Sequence, residues 1–441
     1  MSERFDILVV GAGPAGIAAA VSAAAAGKRV GLVDDNPSPG GQIWRSGASL
    51  PAAARKWLAR LDTAPLVRLQ GWRVFDHPQR GTLRAESNHD CRDLCYEQLV
   101  LATGARERFL PFPGWTLPNV MGAGGLDSMV RGGLPIAGKR VVVAGTGPLL
   151  LAVAAHLARR GAKVVAVCEQ APLRRFVPFT AGLVSEPAKL LQGIAYSMAT
   201  RGARFYTSCW PLAASGREKL ESVTLQTNGK QWDVRCDYLA CGYHLVPNLE
   251  LPALLGCRIE DGFVAVDDMQ RTSAADVFCA GEPTGIGGVE LALIEGKIAG
   301  LAAAGRTAEA EKMARHRRRK QGFVHALRIA SVLDPQLKKL ASDTTLVCRC
   351  EDVPFAALRE HANWRDAKLH TRCGMGSCQG RICSAAAEFL FGWSAVSIQS
   401  SIRPPVFPAL VSSLGAYGKV TCQSAGLASA STSTGSTKET L

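Results

Sequence analysis

The chain opens on an apolar run, Arg4–Val10 (RFDILVV), broken only by Asp6, and an Ala-rich stretch follows after a short glycine loop. Continuous rather than alternating hydrophobicity marks a parallel strand buried on both faces. The Ala-rich stretch reads as a helix ending near Gly27-Lys28, and a second apolar strand, Arg29–Val33, closes on Asp34-Asp35. The loop between strand and helix is Gly11-Ala12-Gly13-Pro14-Ala15-Gly16. A strand, a GxGxxG loop, a helix and a strand ending in an acid make a βαβ unit that binds a dinucleotide. One glycine permits the tight turn, one lets the backbone approach a pyrophosphate, and one lets helix and strand pack closely. The helix N-terminus offers N–H groups to the phosphates, and Asp34 is placed to accept from ribose hydroxyls.

The same pattern returns later. Strand Arg140–Ala144 leads into Gly145-Thr146-Gly147-Pro148-Leu149-Leu150, a helix to about Arg160, and a strand Lys163–Val167 ending at Cys168-Glu169. Leu150 stands at the third glycine position, so helix and strand are expected to pack less closely there. Gly145, Gly147 and Glu169 suit a second nucleotide, NAD(P) or another such as ATP; a vestigial domain is the alternative. Two further strands, Gln98–Ala102 running into Thr103-Gly104 and Asp276–Ala280 running into Gly281-Glu282, flank the second copy. A helix beginning at Gly287-Gly288-Val289-Glu290-Leu291-Ala292 follows them. This order resembles the nested Rossmann-like architecture of the glutathione-reductase and thioredoxin-reductase class. In that class a "Thr-Gly" segment and an acid at the Glu282 position serve FAD, so the resemblance implies FAD at the first site. The flavin-site residues are then Gly11, Gly13, Pro14, Ala15, Gly16, Asp34, Asp35, Gly41, Gln42, Val74, Thr103, Gly104, Gly281, Glu282 and Leu291.

Cysteine usage changes the picture. There is no C-x-x-C, and Gly40-Gly41-Gln42-Ile43-Trp44-Arg45 lacks the paired cysteines of disulfide reductases, so electrons are not bound for a resident dithiol. Nine of the 14 cysteines are scattered (Cys91, Cys95, Cys168, Cys209, Cys236, Cys241, Cys257, Cys279, Cys422) and read as small buried hydrophobes. The other five lie between Cys348 and Cys383: a C-x-C pair, Cys348 and Cys350, then Cys373, and a C-x4-C pair, Cys378 and Cys383. Four thiolates from two chain segments suit a [2Fe–2S] cluster. Zinc competes, and Cys373 is an alternative ligand that spacing alone leaves open.

At 441 residues two or three domains are expected. The expected boundaries are 1–118 with 245–305 for the FAD unit, 119–244 for the second nucleotide unit and 306–342 for a basic helical connector. The iron–sulfur unit is expected at 343–416 and a disordered Ser/Ala/Thr-rich tail at 417–441. No apolar run reaches the ~20 residues that cross a bilayer, and no secretory leader is apparent, so a cytoplasmic protein is expected. Half of the net charge of +14 falls in Arg306–Lys339, where ten Lys/Arg face three Asp/Glu. That run reads as a solvated or docking helix face, without nucleic acid.

Three further stretches sharpen the reading: Pro111-Phe112-Pro113-Gly114-Trp115-Thr116-Leu117-Pro118, the Gly374–Cys383 segment GMGSCQGRIC, and Arg403-Pro404-Pro405. With the second glycine loop they resemble the flavin-containing alpha subunits of opine oxidases, hydrogen cyanide synthase and hydroxyproline or proline dehydrogenases. The cysteine module resembles the bacterioferritin-associated-ferredoxin type. In relatives the Cys373 position is usually a small apolar residue, so the resemblance implies Cys348, Cys350, Cys378 and Cys383 as ligands, with Cys373 as the alternative. It also implies a partner beta subunit, itself a D-amino-acid-oxidase-like flavoprotein that oxidises the C–N bond of an amino acid or opine, and in some cases a small ferredoxin-like third subunit. Electrons would pass through this chain to a quinone-like acceptor, at the inner membrane surface if the quinone is membrane-borne. A self-contained NAD(P)H reductase, and a redox-sensing binding protein, are the competing readings.

Overall fold

The computed structural model describes residues 2–45, 50–176, 187–394 and 402–415. The expected tail over 417–441 and Cys422 lie outside the described residues.

The first glycine loop sits at the end of a seven-stranded sheet ordered Val67–Gln70, Val30–Asp34, Ser2–Val10, Cys91–Leu101, Thr82–Glu86, Arg73–Gln79, with Val277–Cys279 also paired to Cys91–Leu101. The strand Cys91–Leu101 divides one edge between two partners. Its start pairs antiparallel with Thr82–Glu86 and its end pairs parallel with Val277–Cys279. That second pairing brings Gly281-Glu282 back beside the first loop. The helix Pro14–Ala25 is Ala-rich because it is packed from two sides. Against it lies Gly288–Ala303, whose Gly296 and Gly300 sit so close that a Cβ would fall 2.1 Å from the Ala15 carbonyl oxygen and 2.2 Å from that of Ala19.

The chain leaves this unit after Ala105–Glu107 and returns at Leu245–Pro247, and these two short strands pair antiparallel where the units join. Between them is a five-stranded parallel sheet ordered Arg204–Thr207, Lys163–Glu169, Arg140–Thr146, Tyr238–Tyr243, Val120–Gly122. A three-stranded antiparallel sheet, Cys209–Ser215, Ser222–Thr227, Lys230–Arg235, completes it. Leu150 is buried at the third glycine position.

The basic connector is a helix, Thr307–Ala330, separated from Gly288–Ala303 by a turn at Gly305 (φ +80°). Arg317 leaves the solvent to pair with buried Glu295 at 2.9 Å, while Lys320 and Arg318 meet Glu290 and Asp268. Arg315 and Arg319 stay exposed. The C-terminal module follows: the hairpin Leu346–Cys348 with Val353–Pro354, then helices Phe355–Arg359, Trp364–Thr371 and Cys383–Phe391 around Trp364 and Leu358.

Of the scattered cysteines, Cys168, Cys209, Cys236, Cys241, Cys257 and Cys279 are buried as expected. Cys91 and Cys95 depart from the expectation. Both are only half-buried, at the start of the strand Cys91–Leu101, and Cys95 is engaged in a disulfide. No helix among the described residues is long and apolar enough to cross a membrane.

Candidate functional site: a glycine-loop cradle joined to a five-thiol centre

The first loop is built for close backbone approach. Gly11 has φ +102°, and a Cβ there would fall 2.2 Å from the Ala102 carbonyl oxygen; one on Gly16 would fall 1.7 Å from that of Gly11. Gly13, by contrast, has nothing nearer than the Gly41 Cα at 3.9 Å, so its face is open. Pro14 and Ala15 begin the helix, where a missing N–H costs nothing. Asp34 is buried at the strand end and accepts from Ala12 N at 2.5 Å and from Asn36 N at 2.8 Å. It therefore fastens the loop. Asp35 is exposed beside Arg73; partial burial and its neighbour Asp34 raise its carboxyl. Gln42 is exposed on the short helix Gly41–Trp44, and Val74 is buried one strand away.

Gly281 (φ +81°) lies against Ala15, and its N–H donates to Glu295. Next to it, Glu282 is nearly buried and its Oε2 has no hydrogen-bond partner. Burial pushes this carboxyl up to about 7, with Glu295 adding to the rise and the Gly288 and Gly287 amides opposing it. A buried acceptor without a donor is costly. A ribityl hydroxyl of FAD is a donor of the right kind, and Gly104 (φ +69°) with open space above it leaves room. Leu291 is buried and packs against Gly287. The residues fit FAD, which when bound supplies two-electron chemistry. Glu282→Ala is expected to weaken FAD retention roughly tenfold or more, read by flavin released on dilution and gel filtration. Without flavin the pH sign is definite. A carboxyl raised from 4.5 to about 7 in the fold is protonated there first, so apo stability falls as pH rises through that window. Glu282→Gln should flatten that fall in urea titrations at pH 5 and pH 8; an unchanged slope counts against it.

The second loop is arranged differently. Gly145 (φ +142°) crosses tightly over Gly242. Glu169, buried, spends both oxygens on the chain: Oε2 accepts from Gly147 N at 2.7 Å, Oε1 from the Thr146 hydroxyl and from Ala171 N, each at 2.9 Å. Burial raises this carboxyl to about 7. The end of the connector then lies on this loop. Ser331 Oγ faces Gly147, within 3.6 Å of where a Cβ would stand. Gln170 donates to the Val332 carbonyl and accepts from Asp334 N at 2.8 Å, and Arg175 donates to the same carbonyl.

In the C-terminal module the structure gathers all five cysteines. Sulfurs of Cys348, Cys373 and Cys383 lie within 4.8 Å of one another, all buried. Cys378 hydrogen-bonds Cys383 and Cys350, and exposed Cys350 takes the Ser377 hydroxyl at 3.8 Å. The Cys373 and Cys383 thiols hold Cys348 down to about 2, and Cys383 holds Cys378 down to about 5, with backbone N–H groups helping both; Cys373 and Cys383 are pushed up in return. Gly376 allows the approach, since a Cβ there would fall 2.3 Å from that of Cys350. Five converging thiols fit an iron–sulfur or zinc group.

Sequence reasoning missed what joins the two sites. Arg381, inside the cysteine segment, donates to the Cys378 carbonyl at 3.2 Å and stacks on Phe407 at 3.8 Å. Its own carbonyl accepts from Arg106 Nε at 2.8 Å. Arg106 also binds Asn248 at 2.7 Å and Glu250 at 2.9 Å. Asn248 in turn clasps Thr103, donating to its carbonyl and accepting from its hydroxyl, each at 2.8 Å. Four linked residues thus run from the flavin-side segment to the thiols. No periodicity or spacing announces a chain of contacts spanning residues 103 to 381.

The fold and the paired glycine loops define a class: the chain belongs to the pyridine nucleotide-disulphide oxidoreductase family, whose model matches residues 5–308. It is a flavoprotein oxidoreductase of that family. It is 32% identical over 92% of its length to an opine oxidase subunit from Rhizobium meliloti (strain 1021), covering 97% of that protein. To hydrogen cyanide synthase subunit HcnB of Pseudomonas aeruginosa it is 31% identical, over 85% of this chain and 90% of the other. Among solved structures, L-proline dehydrogenase from P. horikoshii matches at a TM-score of 0.65 and 17% identity, over 94% of this chain and 80% of that one. Thioredoxin reductase from T. acidophilum matches at 0.55, over 69% and 99%.

Proposed function

We infer that this chain is the electron-transfer subunit of a hetero-oligomeric dehydrogenase for amino acids or opines. It carries FAD in the first unit and a [2Fe–2S] cluster on four of the five thiols. A partner flavoprotein removes the electrons from a C–N bond, and this chain passes them toward a quinone-like acceptor. The observation that carries the reading is the direct structural link from the thiol centre through Arg381, Arg106 and Asn248 to Thr103. Such a link supports keeping the two proposed redox sites in one frame, as a relay requires. Flavin handles electron pairs and the cluster single electrons, so a chain with both converts one into the other. Relatives named as subunits of an opine oxidase and of a hydrogen cyanide synthase support the need for a partner.

The second nucleotide loop supports a relay over a self-contained reductase. The Ser331–Asp334 segment lies against the second loop, with Ser331 Oγ facing Gly147, on the side from which a dinucleotide pyrophosphate would approach. An anaerobic absorbance titration of the purified chain with NADH and NADPH tests this. Neither is expected to bleach the flavin, while dithionite reduces both centres. Rapid stoichiometric bleaching by either nucleotide would make the chain a reductase in its own right.

A further inference from the structure

The helix that leads to Cys373 carries a second group of metal-binding side chains. Asn363 caps its start, accepting from Asp366 N at 3.0 Å, and Trp364 and Ala367 turn inward to the module's core. This leaves Asp366 and His370, one turn apart, toward solvent. His361, just before the cap, comes back to the same place. Its Nδ1 lies 2.9 Å from Asp366 Oδ2, and His370 Nδ1 lies 3.1 Å from Asp366 Oδ1 and 3.0 Å from the Asp366 carbonyl oxygen. The two rings stack with centroids 5.4 Å apart and planes 20° from parallel. One donor atom from each of the three residues falls within 4.8 Å of the others.

Donors sharing one zinc ion at 2.0–2.1 Å stand about 3.0 to 3.4 Å apart; the His370 separation of 3.1 Å lies in that range and the His361 separation of 2.9 Å just under it, each now a direct polar contact that an ion would replace. The donor set, two imidazoles and a carboxylate, selects borderline divalent transition ions over calcium, magnesium or soft monovalent copper. Side-chain exposure rises from 17% at His361 through 37% at Asp366 to 66% at His370, which gives an ion a path in and water a place to complete its shell. Asn363 already holds the helix cap through Asp366 N, so neither histidine is needed for it. His370, mostly exposed, adds nothing to the core, and its convergence on the same carboxylate is what points to a ligand.

We propose that His361, Asp366 and His370 bind one divalent transition ion of the zinc type, separately from the five cysteines. The test uses the full-length holoprotein, its iron content measured beforehand, titrated with Zn2+ by calorimetry and with Co2+ by visible absorption. One equivalent should bind, and the Co2+ spectrum should show ligand-field bands without thiolate charge transfer. His370→Asn and Asp366→Asn should each weaken Zn2+ at least about tenfold, and His370→Asn should leave iron content and the unfolding midpoint unchanged. Absence of binding, thiolate charge transfer in the Co2+ spectrum, or unchanged affinity in His370→Asn would each overturn the assignment.

Discussion

Cys383→Ser is expected to abolish the iron–sulfur absorbance and EPR signal of the purified chain while FAD stays bound. Cys383 opens the helix Cys383–Phe391, and its sulfur is the hub of the centre, meeting Cys348, Cys373 and Cys378. A serine hydroxyl at neutral pH stays protonated and is a poor substitute for a thiolate, the species that binds the metal. The flavin should survive because Gly11–Gly16 belongs to a separate core built on Pro14–Ala25 and Gly288–Ala303. Two companion variants identify the fourth ligand. Cys373→Ser should keep the signal and Cys350→Ser lose it if the C-x-C and C-x4-C pairs are the ligands. The reverse result would place Cys373, already packed against Cys348 and Cys383, in the shell and leave Cys350 outside it. A full-strength signal in Cys383→Ser would remove the basis for either set.

Arg317→Ala should destabilise the chain by ~3–5 kcal/mol, the usual result of stripping one partner from a buried ion pair. Glu295 is 2% exposed and accepts from Arg317 Nε at 2.9 Å, Gly281 N at 3.0 Å and the Thr284 hydroxyl at 3.0 Å. Burial already raises this carboxyl, and Arg317 is what opposes the rise. Without Arg317 the carboxylate keeps two neutral donors and no counter-charge, so it takes up a proton or the loop opens. The sign with pH follows. A carboxyl raised further in the fold is stabilising in relative terms below its unfolded range, and that contribution is lost as pH rises through its folded value. The deficit of Arg317→Ala should therefore be smaller near pH 5 than near pH 8 in urea unfolding curves. Glu295→Gln combined with Arg317→Met should recover much of the loss, since no charge then stays buried. A deficit below about 1 kcal/mol, in the range of exposed ion pairs, would show that the pair is not desolvated in solution.

The local architecture was legible because it rests on short-range periodicity. The run Phe5–Val10, the glycine loop and the Ala-rich helix state one βαβ unit within 30 residues, and Arg140–Glu169 states another. Backbone sterics and two-sided burial act over those same few residues, so pattern and structure share a cause. The thiol module was legible for a like reason: five sulfurs in 36 positions leave few ways not to meet. The antiparallel sheet Cys209–Arg235 and the pairing of Ala105–Glu107 with Leu245–Pro247 were not, since their strands are short and their partners are chosen by what packs beside them.

The electrostatic detail was hidden altogether. The basic run around Arg317 looks the same in sequence whether it is solvated or, as here, sends one guanidinium into the core to meet Glu295. Asp34 and Glu169 both read as ribose acceptors from their places at strand ends, yet in each case the surrounding loop already bonds both oxygens. Arg106 and Arg381 carry no signature of the bridge they make. Sequence determined the two nucleotide-type units and the presence of a thiol-rich module, because each follows from residues near one another in the chain. Which carboxylates remain available, which thiols touch and how the module is fastened to the flavin-side segment depend on contacts between residues dozens to hundreds of positions apart, and those exist only once the separate cores have packed against one another.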